Sequence, residues 1–320
     1  MAEIRERRIG AGARIVAHAR MMRLDHSIKQ IFVAPGIVLA VSIGGVEVTG
    51  AVWLRIAIGL VAATLIASSN YVLNELLDAP YDRLHPSKHL RPAASGLAHH
   101  GLGYAQWILL MLAGLALASR LGFPFVLSAA GLWVMGCVYN IPPVRSKDVS
   151  YLDVLSESIN NPLRFCLGWY SVTTILLPPT SLLISYWMLG CYFMVLKRFS
   201  EYRQIGDHEL ASGYRRSFAH YSEESLLNSA IFYAAASMLF FGAFIMRYRI
   251  DLILSFPVIA WLMAVYFSLS FRRDSPVQHP ELLYKEAVLM IPLVISIALM
   301  VVLLFVNVPW IEYTFPKSTP

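Results

Sequence analysis

Every fourth residue in one segment near position 80 is an amide or a carboxylate, which gives the series Asn70, Asn74, Asp78 and Asp82. On a helix, four residues advance about 400°, so the successive side chains of this acidic stripe share one face. Magnesium prefers oxygen ligands and commonly uses one or two carboxylates to hold a substrate's phosphates. The spacing therefore predicts a magnesium site that includes Asn74, Asp78 and Asp82, with a solvated helix end as the alternative. Pro80 leaves open whether the helix loosens or ends before Asp82.

A basic loop interrupted by prolines follows the acidic stripe. Its cationic side chains are Arg83, Lys88, His89 and Arg91. Guanidinium and ammonium groups pair with phosphate oxygens, so a diphosphate could be held between these cations and the carboxylates. Anchoring of a cytoplasmic membrane loop by positive charge is the alternative for each residue taken alone.

A second polar segment begins at residue 139. Its members up to the next helix are Tyr139, Arg145, Lys147, Asp148 and Asp153. Either Arg145 or Lys147 is expected to reach a phosphate, because both lie in the short loop after Tyr139. Two similar polar segments at the ends of different helices predict one polar cavity lined from two sides.

A second helical stripe continues from this segment. It consists of Asp153, Glu157, Asn160, Asn161 and Arg164, whose offsets of 0, 4, 7, 8 and 11 place them on one face. A charge inside a membrane helix costs a few kcal/mol, so such residues normally face a cavity and pair with one another. Arg164 is therefore expected either to pair with Glu157 or to contact substrate.

The chain as a whole is too apolar for a soluble enzyme. Of its 320 residues, 57% are hydrophobic and 14% are charged, and the mean hydropathy is +0.59, whereas soluble domains carry about 25% charge. This composition predicts an all-α, polytopic membrane protein. The three cysteines, Cys137, Cys166 and Cys191, lie in apolar runs without paired spacing and are expected to pack between helices.

Apolar stretches long enough to cross a bilayer predict nine transmembrane helices around a central cavity that opens to the cytoplasmic face. The expected spans are 30–48, 51–72, 101–119, 122–138, 152–176, 181–196, 228–247, 252–270 and 286–306. Most lysines and arginines then fall on one side, which places the N-terminus in the cytoplasm and the C-terminus outside. The predicted location is a bacterial inner (plasma) membrane.

The predicted domain organisation has one membrane domain and two short flanks. Residues 1–28 are expected to form an amphipathic cytoplasmic segment, residues 29–310 the nine-helix domain and residues 311–320 a C-terminal tail. Residues 200–227 are expected to lie on the cytoplasmic surface as a further amphipathic element. The sequence does not predict the oligomeric state.

The acidic stripe and its basic loop, read as NxxxDxxxD followed by K-x-x-R-P-x-x-S-G, resemble the first signature of the UbiA superfamily of intramembrane prenyltransferases. The segment from Tyr139 to Asp153 resembles the second signature. The usual first signature begins Asn-Asp, and here Glu75 stands at the second position. The resemblance implies a Mg²⁺-dependent transferase that takes a diphosphate-containing donor and an isoprenoid lipid from the bilayer. It also adds Asp153 to the expected metal ligands.

Two later segments resemble one branch of this superfamily. The third aspartate-rich stretch common in aromatic prenyltransferases is absent, and K-R-F-S-E at 197–201 is followed by Y-R-x-S-F-x-x-Y at 214–221. Both are similar to the decaprenyl-phosphate phosphoribosyltransferase branch, as are 28–30 and 279–289. The resemblance implies transfer of 5-phosphoribosyl from phosphoribosyl diphosphate to a polyprenyl phosphate.

The residues expected to act in this chemistry fall into two groups. Asp78, Asp82, Arg145 and Lys197 are the expected catalytic residues. The expected substrate-binding residues are Lys29, Asn74, Arg83, Lys88, Arg91, Tyr139, Lys147, Asp153, Glu157, Asn161, Arg164, Arg198, Glu201 and Arg203.

Two other functions stay open. The Pro142-Pro143 pair looks like tetrapyrrole and archaeal-lipid members, which favours prenyl transfer to an aromatic or other lipid-precursor acceptor. A lipid-phosphate transporter would also carry charges inside the membrane. Nucleic-acid binding is excluded, because the basic residues are spread over five segments without a soluble fold to present them.

Overall fold

The structure is a computed structural model that describes residues 11–83 and 88–315. The described residues form α-helices joined by loops and short 3-10 turns, and they contain no strand, which confirms the all-α prediction. The helices are α1 (Ala11–Met21), α2 (Ala34–Gly44), α3 (Gly50–Asp82), α4 (His100–Ala118), α5 (Phe123–Asn140), α6 (Leu152–Ser158), α7 (Asn160–Val172), α8 (Thr180–Ile205), α9 (His208–Tyr214), α10 (Glu223–Tyr248), α11 (Phe256–Ser270), α12 (Ala287–Phe305) and α13 (Pro309–Thr314).

Seven helical segments in the described part of the chain are long and apolar enough to cross a membrane. They are Gly50–Asp82, His100–Ala118, Phe123–Asn140, Thr180–Ile205, Glu223–Tyr248, Ile250–Ser270 and Ala287–Phe305. The other two predicted spans contain shorter helices. In the first, the 3-10 segment Leu24–Val33 leads into α2, so the apolar helix covers only Gln30–Gly44. The count of nine crossings and the central cavity stay predictions.

The predicted span 152–176 is divided into two helices. α6 ends at Ser158 and α7 begins at Asn160. Pro162 explains the interruption, because a proline lacks the amide hydrogen and its ring clashes with the carbonyl four residues earlier, here that of Ser158. Only Ile159 separates the two helices, and its φ of −62° and ψ of −19° are still helical, so the single face from Asp153 to Arg164 stays a prediction.

α3 continues past its internal proline. Pro80 lies inside the helix, and the amide of Arg83 still donates to the carbonyl of Ala79 at 3.2 Å. Asp78 and Asp82 consequently occupy successive turns of one helix, as the spacing predicts, and the alternative in which the helix ends before Asp82 is not adopted.

The chain folds as two compact units. The first comprises the described parts of Met1–Val41, Val46–Arg145 and Leu163–Leu176. Within it α3 packs against α4 and α5, and α1 lies on α3 with Ala17 and Met21 fully buried. The opposite face of α1 exposes Ile15 and Val16. The described part of the predicted segment 1–28 thus buries one face against protein.

Two glycines in this unit allow an unusually close helix crossing. A Cβ added to Gly36 of α2 would lie 2.0 Å from the carbonyl oxygen of Phe165, and one added to Gly168 of α7 would lie 2.0 Å from that of Val33. Backbones therefore meet where any side chain would collide, as small residues permit in membrane helices.

The second unit comprises Ser42–Gly45, Ser146–Pro162 and the described part of Leu177–Pro320. α8 packs along α10, α11 along α12, and α6 against α8. Two reciprocal hydrogen bonds, which we call the serine clasp, join α8 to α10. Ser185 Oγ donates to the carbonyl of Ser237 at 2.9 Å, and Ser237 Oγ donates to the carbonyl of Ser185 at 3.1 Å. Phe199 and Phe218 are fully buried in the core of this unit.

Candidate active site

The amides of the acidic stripe join α3 to α5. Asn74 Nδ2 donates to Asn140 Oδ1 at 2.6 Å and to Asp78 Oδ2 at 3.2 Å. One helical turn earlier, Asn70 Nδ2 donates to the carbonyl of Leu132 at 2.8 Å, and a Cβ on Gly136 would lie only 2.2 Å from Asn70 Cγ. Asn140 is a site residue that the sequence interpretation missed, because nothing in its spacing indicates that it faces the stripe.

Both carboxylates of the stripe are paired with guanidinium groups. Arg145 Nη2 lies 3.0 Å from Asp78 Oδ1, and Arg91 Nη1 lies 2.6 Å from Asp82 Oδ2. Arg145 also lies over the ring of Tyr81, 5.2 Å from its centroid. We call Asn74, Asp78, Asp82, Arg91, Asn140 and Arg145 the carboxylate cluster. All six residues belong to the first unit.

Glu75 occupies the second position of the signature but has a different environment from its neighbours. It is buried, accepts a hydrogen bond from the amide of Ala93 at 3.2 Å, and lies 3.7 Å from Arg23 Nη2. Burial and the guanidinium of Arg91 lower the pKa of Arg23, while the carboxylate of Glu75 opposes part of that effect. Arg23 is a second residue that sequence reasoning missed, since its partner lies 52 positions away.

The carboxylate cluster fits magnesium that is bound together with a diphosphate. It offers two carboxylates, and within the described residues no hydrogen bond engages Asn74 Oδ1, because the amide nitrogen makes both contacts. Among the described residues, no three His, Cys, Asp or Glu side chains are grouped so that they could hold a metal ion. Magnesium usually takes one or two carboxylates and completes its shell with substrate phosphates and water.

A second cluster of charges surrounds Asp153, which is fully buried in the second unit. Its Oδ2 accepts hydrogen bonds from Arg198 Nε at 2.9 Å and from Ser217 Oγ at 3.2 Å, and its Oδ1 accepts from the hydroxyl of Tyr221 at 2.8 Å. Arg215 Nη2 lies 3.5 Å from Asp153 Oδ2. With both oxygens engaged by donors, the geometry disfavours the predicted role of Asp153 as a metal ligand.

Two further charged residues extend this second cluster at the end of α8. Arg198 Nη1 donates to Glu201 Oε2 at 3.0 Å, and Lys197 Nζ lies 3.9 Å from Glu201 Oε1. We call Asp153, Lys197, Arg198, Glu201, Arg215, Ser217 and Tyr221 the Asp153 cluster. Burial, followed by the charge of Asp153, raises the pKa of Tyr221, so its hydroxyl stays protonated and donates to that carboxylate. Burial and the charge of Glu201 likewise raise the pKa of Tyr214.

Arg203 and Arg83 lie outside both clusters. Arg203 is 5.3 Å from the centroid of the Phe271 ring and makes an exposed ion pair with Glu223 at 3.4 Å. Arg83 is exposed and donates from Nε to the carbonyl of Ala94 at 3.2 Å. The geometry therefore does not support substrate binding by either residue.

The other predicted residues are distributed over several elements. Asn161 packs against Gly190, because a Cβ added at position 190 would lie only 2.3 Å from Asn161 Nδ2. Glu157 and Arg164 each lack a hydrogen bond or ion pair within the described part of the chain. The remaining predicted residues are Lys88 and Tyr139, both half-buried, Lys147, buried in the turn Ser146–Asp148, and Lys29, whose side chain is outside the described residues.

The sequence profile of the UbiA prenyltransferase family matches residues 31–291, which is most of the chain. The chain belongs to the UbiA prenyltransferase family. The resemblance to the UbiA superfamily is thereby confirmed at the level of the family. Membership and the seven apolar helices make this UbiA-family chain an integral membrane protein and a transferase.

Solved structures of UbiA homologues share this fold. A UbiA homologue from Archaeoglobus fulgidus bound to GPP and Mg²⁺ is 20% identical, with a TM-score of 0.65 over 90% of this chain and 98% of that one. A second structure, of a digeranylgeranylglyceryl phosphate synthase, is 16% identical with a TM-score of 0.63 over 91% and 97%.

One sequence relative matches over a shorter stretch. The uncharacterized protein y4nM of Sinorhizobium fredii is 30% identical over 115 residues, which are 36% of this chain and 22% of that protein. The match thus spans about a fifth of the relative's length.

Proposed function

We propose that this protein transfers the 5-phosphoribosyl group from phosphoribosyl diphosphate to a polyprenyl phosphate in a magnesium-dependent reaction. The observation that carries the transferase chemistry is the pairing of Asp78 and Asp82, on one face of α3, with Arg145 and Arg91. Carboxylates for a metal and guanidinium groups for phosphate oxygens are the two components needed to bind a diphosphate that departs.

The carboxylate cluster supplies the binding of the leaving group. Asn74, Asp78 and Asp82 would hold Mg²⁺, which when bound neutralises part of the charge on the departing diphosphate. Arg91 and Arg145 already lie at these carboxylates and would exchange one of their contacts for phosphate oxygens. Their positive charge then stabilises the diphosphate as the bond to ribose C1 breaks.

The transfer itself needs no nucleophile from the protein. An oxygen of the lipid phosphate attacks ribose C1, the new C–O bond forms, and the bond between C1 and the diphosphate oxygen breaks with its electron pair leaving on the diphosphate. The protein contributes position and charge, which are the main sources of catalysis in such displacements.

The composition of the Asp153 cluster supports a donor with additional phosphate. It contains three cations, Lys197, Arg198 and Arg215, and two carboxylates, Asp153 and Glu201. Phosphoribosyl diphosphate carries a 5-phosphate besides its diphosphate. The cations of the Asp153 cluster would have this 5-phosphate as a ligand.

Prenyl transfer is the second candidate function. The structure of the Archaeoglobus fulgidus homologue contains GPP and Mg²⁺, and a related structure contains DMAPP and Mg²⁺. These prenyl diphosphates favour a donor with an isoprenoid on the diphosphate and an aromatic or lipid-precursor acceptor. The carboxylate cluster would act on either donor in the same way.

A direct assay separates these functions. Purified protein with Mg²⁺ is incubated with phosphoribosyl diphosphate and polyprenyl phosphate, and separately with prenyl diphosphates and aromatic acceptors, and lipid products are identified by mass. We expect product in the first reaction, a rate about 10²–10³ times lower in Asp78→Asn, and an unchanged rate in Asp274→Asn, a control variant at an exposed aspartate. Product only in the second reaction would overturn the phosphoribosyl proposal, and flux of lipid phosphate across vesicles without product would favour a transporter.

We also propose nine crossings with a cytoplasmic N-terminus in a bacterial plasma membrane. The segments Gln30–Gly44 and α6 with α7 would supply the two crossings beyond the seven long helices. An odd number of crossings puts the termini on opposite sides. Reporter fusions to each terminus test this arrangement, and two reporters active on the same side would contradict it.

A further inference from the structure

The segment Y-R-x-S-F-x-x-Y at 214–221 is not explained by the chemistry of the carboxylate cluster. It begins at the last residue of α9 and continues through the 3-10 turn Arg216–His220. Four of its residues point inward or contact a buried charge: Arg215, Ser217, Phe218 and Tyr221. A loop between two membrane helices rarely buries so many side chains without a structural or functional reason.

Two guanidinium groups contact the same carboxylate oxygen of Asp153. Arg198 Nε lies 2.9 Å and Arg215 Nη2 lies 3.5 Å from Asp153 Oδ2, although the two arginines come from α8 and from the loop after α9. Arg215 Nε also donates to Ser217 Oγ at 2.9 Å. One buried anion therefore fixes the direction of two cations from separate elements.

Tyr221 fixes the other side of the same carboxylate. Its hydroxyl donates to Asp153 Oδ1 at 2.8 Å and accepts a hydrogen bond from the amide of Tyr151 at 2.6 Å. Tyr151 has a φ of 67°, a conformation that is uncommon for a bulky residue. The backbone before α6 and the end of the loop are thus both tied to Asp153.

The cluster contains more cations than carboxylates, and their exposure is uneven. Three cations stand against two carboxylates, and the Asp153 side chain is 0% exposed, whereas those of Lys197 and Arg215 are 25% and 23% exposed. Asp153 and Arg198 are therefore held inside, and parts of Lys197, Arg215 and Glu201 reach the surface. Such a surface suits a phosphate monoester, which accepts several charge-assisted hydrogen bonds.

We propose that Arg215, together with Lys197 and Arg198, binds a phosphate monoester, and that Asp153 and Tyr221 are positioning residues for these cations. This inference rests on the proposed function, because the 5-phosphate of phosphoribosyl diphosphate is a phosphate monoester. It changes the interpretation of Asp153 from a metal ligand to an organiser of an anion site.

Binding of ribose 5-phosphate to the full-length protein tests the proposal without requiring turnover. The probe is titrated by calorimetry against wild type, Arg215→Met and Arg216→Met, with ribose as the uncharged comparison. Arg216 is the matched control, because it is the adjacent arginine, is 69% exposed and contacts Asp148 instead. We expect Arg215→Met to weaken binding about tenfold or more, the scale of a lost charge-assisted pair, and Arg216→Met to stay within about twofold.

Tyr221→Phe tests the positioning role with the smallest structural change. We expect its KM for phosphoribosyl diphosphate to rise while kcat changes less. Because the hydroxyl is one donor to a buried carboxylate, its loss should also lower the free energy of unfolding. A variant that only loosens the fold would lower the amount of active protein, and hence the apparent kcat, and leave KM unchanged, which would overturn the positioning role.

The two proposals can fail separately. Binding of ribose 5-phosphate that depends on Arg215, in a protein that makes no phosphoribosyl lipid, would support the anion site and reject the proposed transfer. Transfer by a protein whose Arg215→Met variant keeps wild-type binding and KM would reject the anion site alone. Absence of ribose 5-phosphate binding in wild type would also reject it.

Discussion

The carboxylate cluster and the Asp153 cluster use the same kinds of residue but differ in the exposure of one central aspartate. In the first, Asp78 keeps 22% of its side chain exposed and stands on the last turns of α3, so carboxylate oxygens can be reached by a ligand. In the second, the side chain of Asp153 is 0% exposed, whereas those of Lys197 and Arg215 are 25% and 23% exposed. The exposed carboxylate of Asp78 therefore offers oxygen ligands to a cation, and the exposed ammonium and guanidinium groups offer hydrogen-bond donors to an anion.

The largest expected difference between the two clusters is in the free energy of unfolding that is lost when an arginine is removed. Arg198→Met leaves Asp153 buried without its closest cation, and breaking a buried pair from one side costs about 3–5 kcal/mol. Arg145→Met removes the partner of a more exposed carboxylate, so we expect about 1 kcal/mol or less in the free energy of unfolding. Thermal unfolding in detergent measures both. Equal destabilisation by the two variants would show that the clusters do not differ in the way their burial indicates.

The Mg²⁺ concentration needed for activity should differ between variants of Asp78 and Asp153. We expect Asp78→Asn to lower kcat/KM by about 10²–10³, since it removes an electrostatic contribution to the departing diphosphate. The residual activity should need more Mg²⁺ for half-saturation, whereas Asp153→Asn should leave that concentration unchanged. A shift in the Mg²⁺ requirement of Asp153→Asn of similar size would restore Asp153 as a metal ligand.

A smaller effect is expected from the Arg23 and Glu75 pair, which is beside the carboxylate cluster. Arg23→Met leaves Glu75 buried with the amide of Ala93 as a donor, and the loss of one partner of a buried group costs about 1–3 kcal/mol. Glu75→Gln should cost less, and the double variant should cost less than the sum of the two. Additive changes in the free energy of unfolding would show that the two side chains are not coupled.

The smallest effect concerns alkaline pH and belongs to Tyr221. Its pKa in the folded protein is raised above the usual value of about 10, so above that pH the folded state binds more protons than the unfolded state and stability falls as pH rises. Tyr221→Phe has no such proton to lose. Between pH 9 and about 11 we expect the unfolding midpoint of wild type to fall more steeply than that of the variant, and parallel slopes would contradict this.

The two clusters differ in how far they could be predicted from the sequence. The acidic stripe was predictable because helix geometry alone places Asn70, Asn74, Asp78 and Asp82 on one face, and α3 continues through Pro80. Its cation partners were predictable as a class, since basic residues surround the stripe in the sequence.

The Asp153 cluster was not predictable in the same way. The partners of Asp153 lie 45 to 68 positions further along the chain, so only tertiary packing shows that its oxygens are already engaged. Helical spacing from Asp153 to Arg164 also missed the division at Ile159, because periodicity does not include the effect of Pro162. Local geometry could be predicted where one helix carries the site, and contacts between distant segments could not.

The serine clasp between Ser185 and Ser237 has a consequence for how deep the cations lie in the bilayer. Its two reciprocal hydrogen bonds would both break if α8 slid along α10, so the pair has one axial alignment. Lys197 and Arg198 follow Ser185 by 12 and 13 residues on the same continuous helix, which corresponds to roughly 20 Å of rise. The clasp therefore fixes the axial level of Lys197 and Arg198 relative to α10, and with it the depth at which the proposed phosphate-binding end would lie in a bilayer.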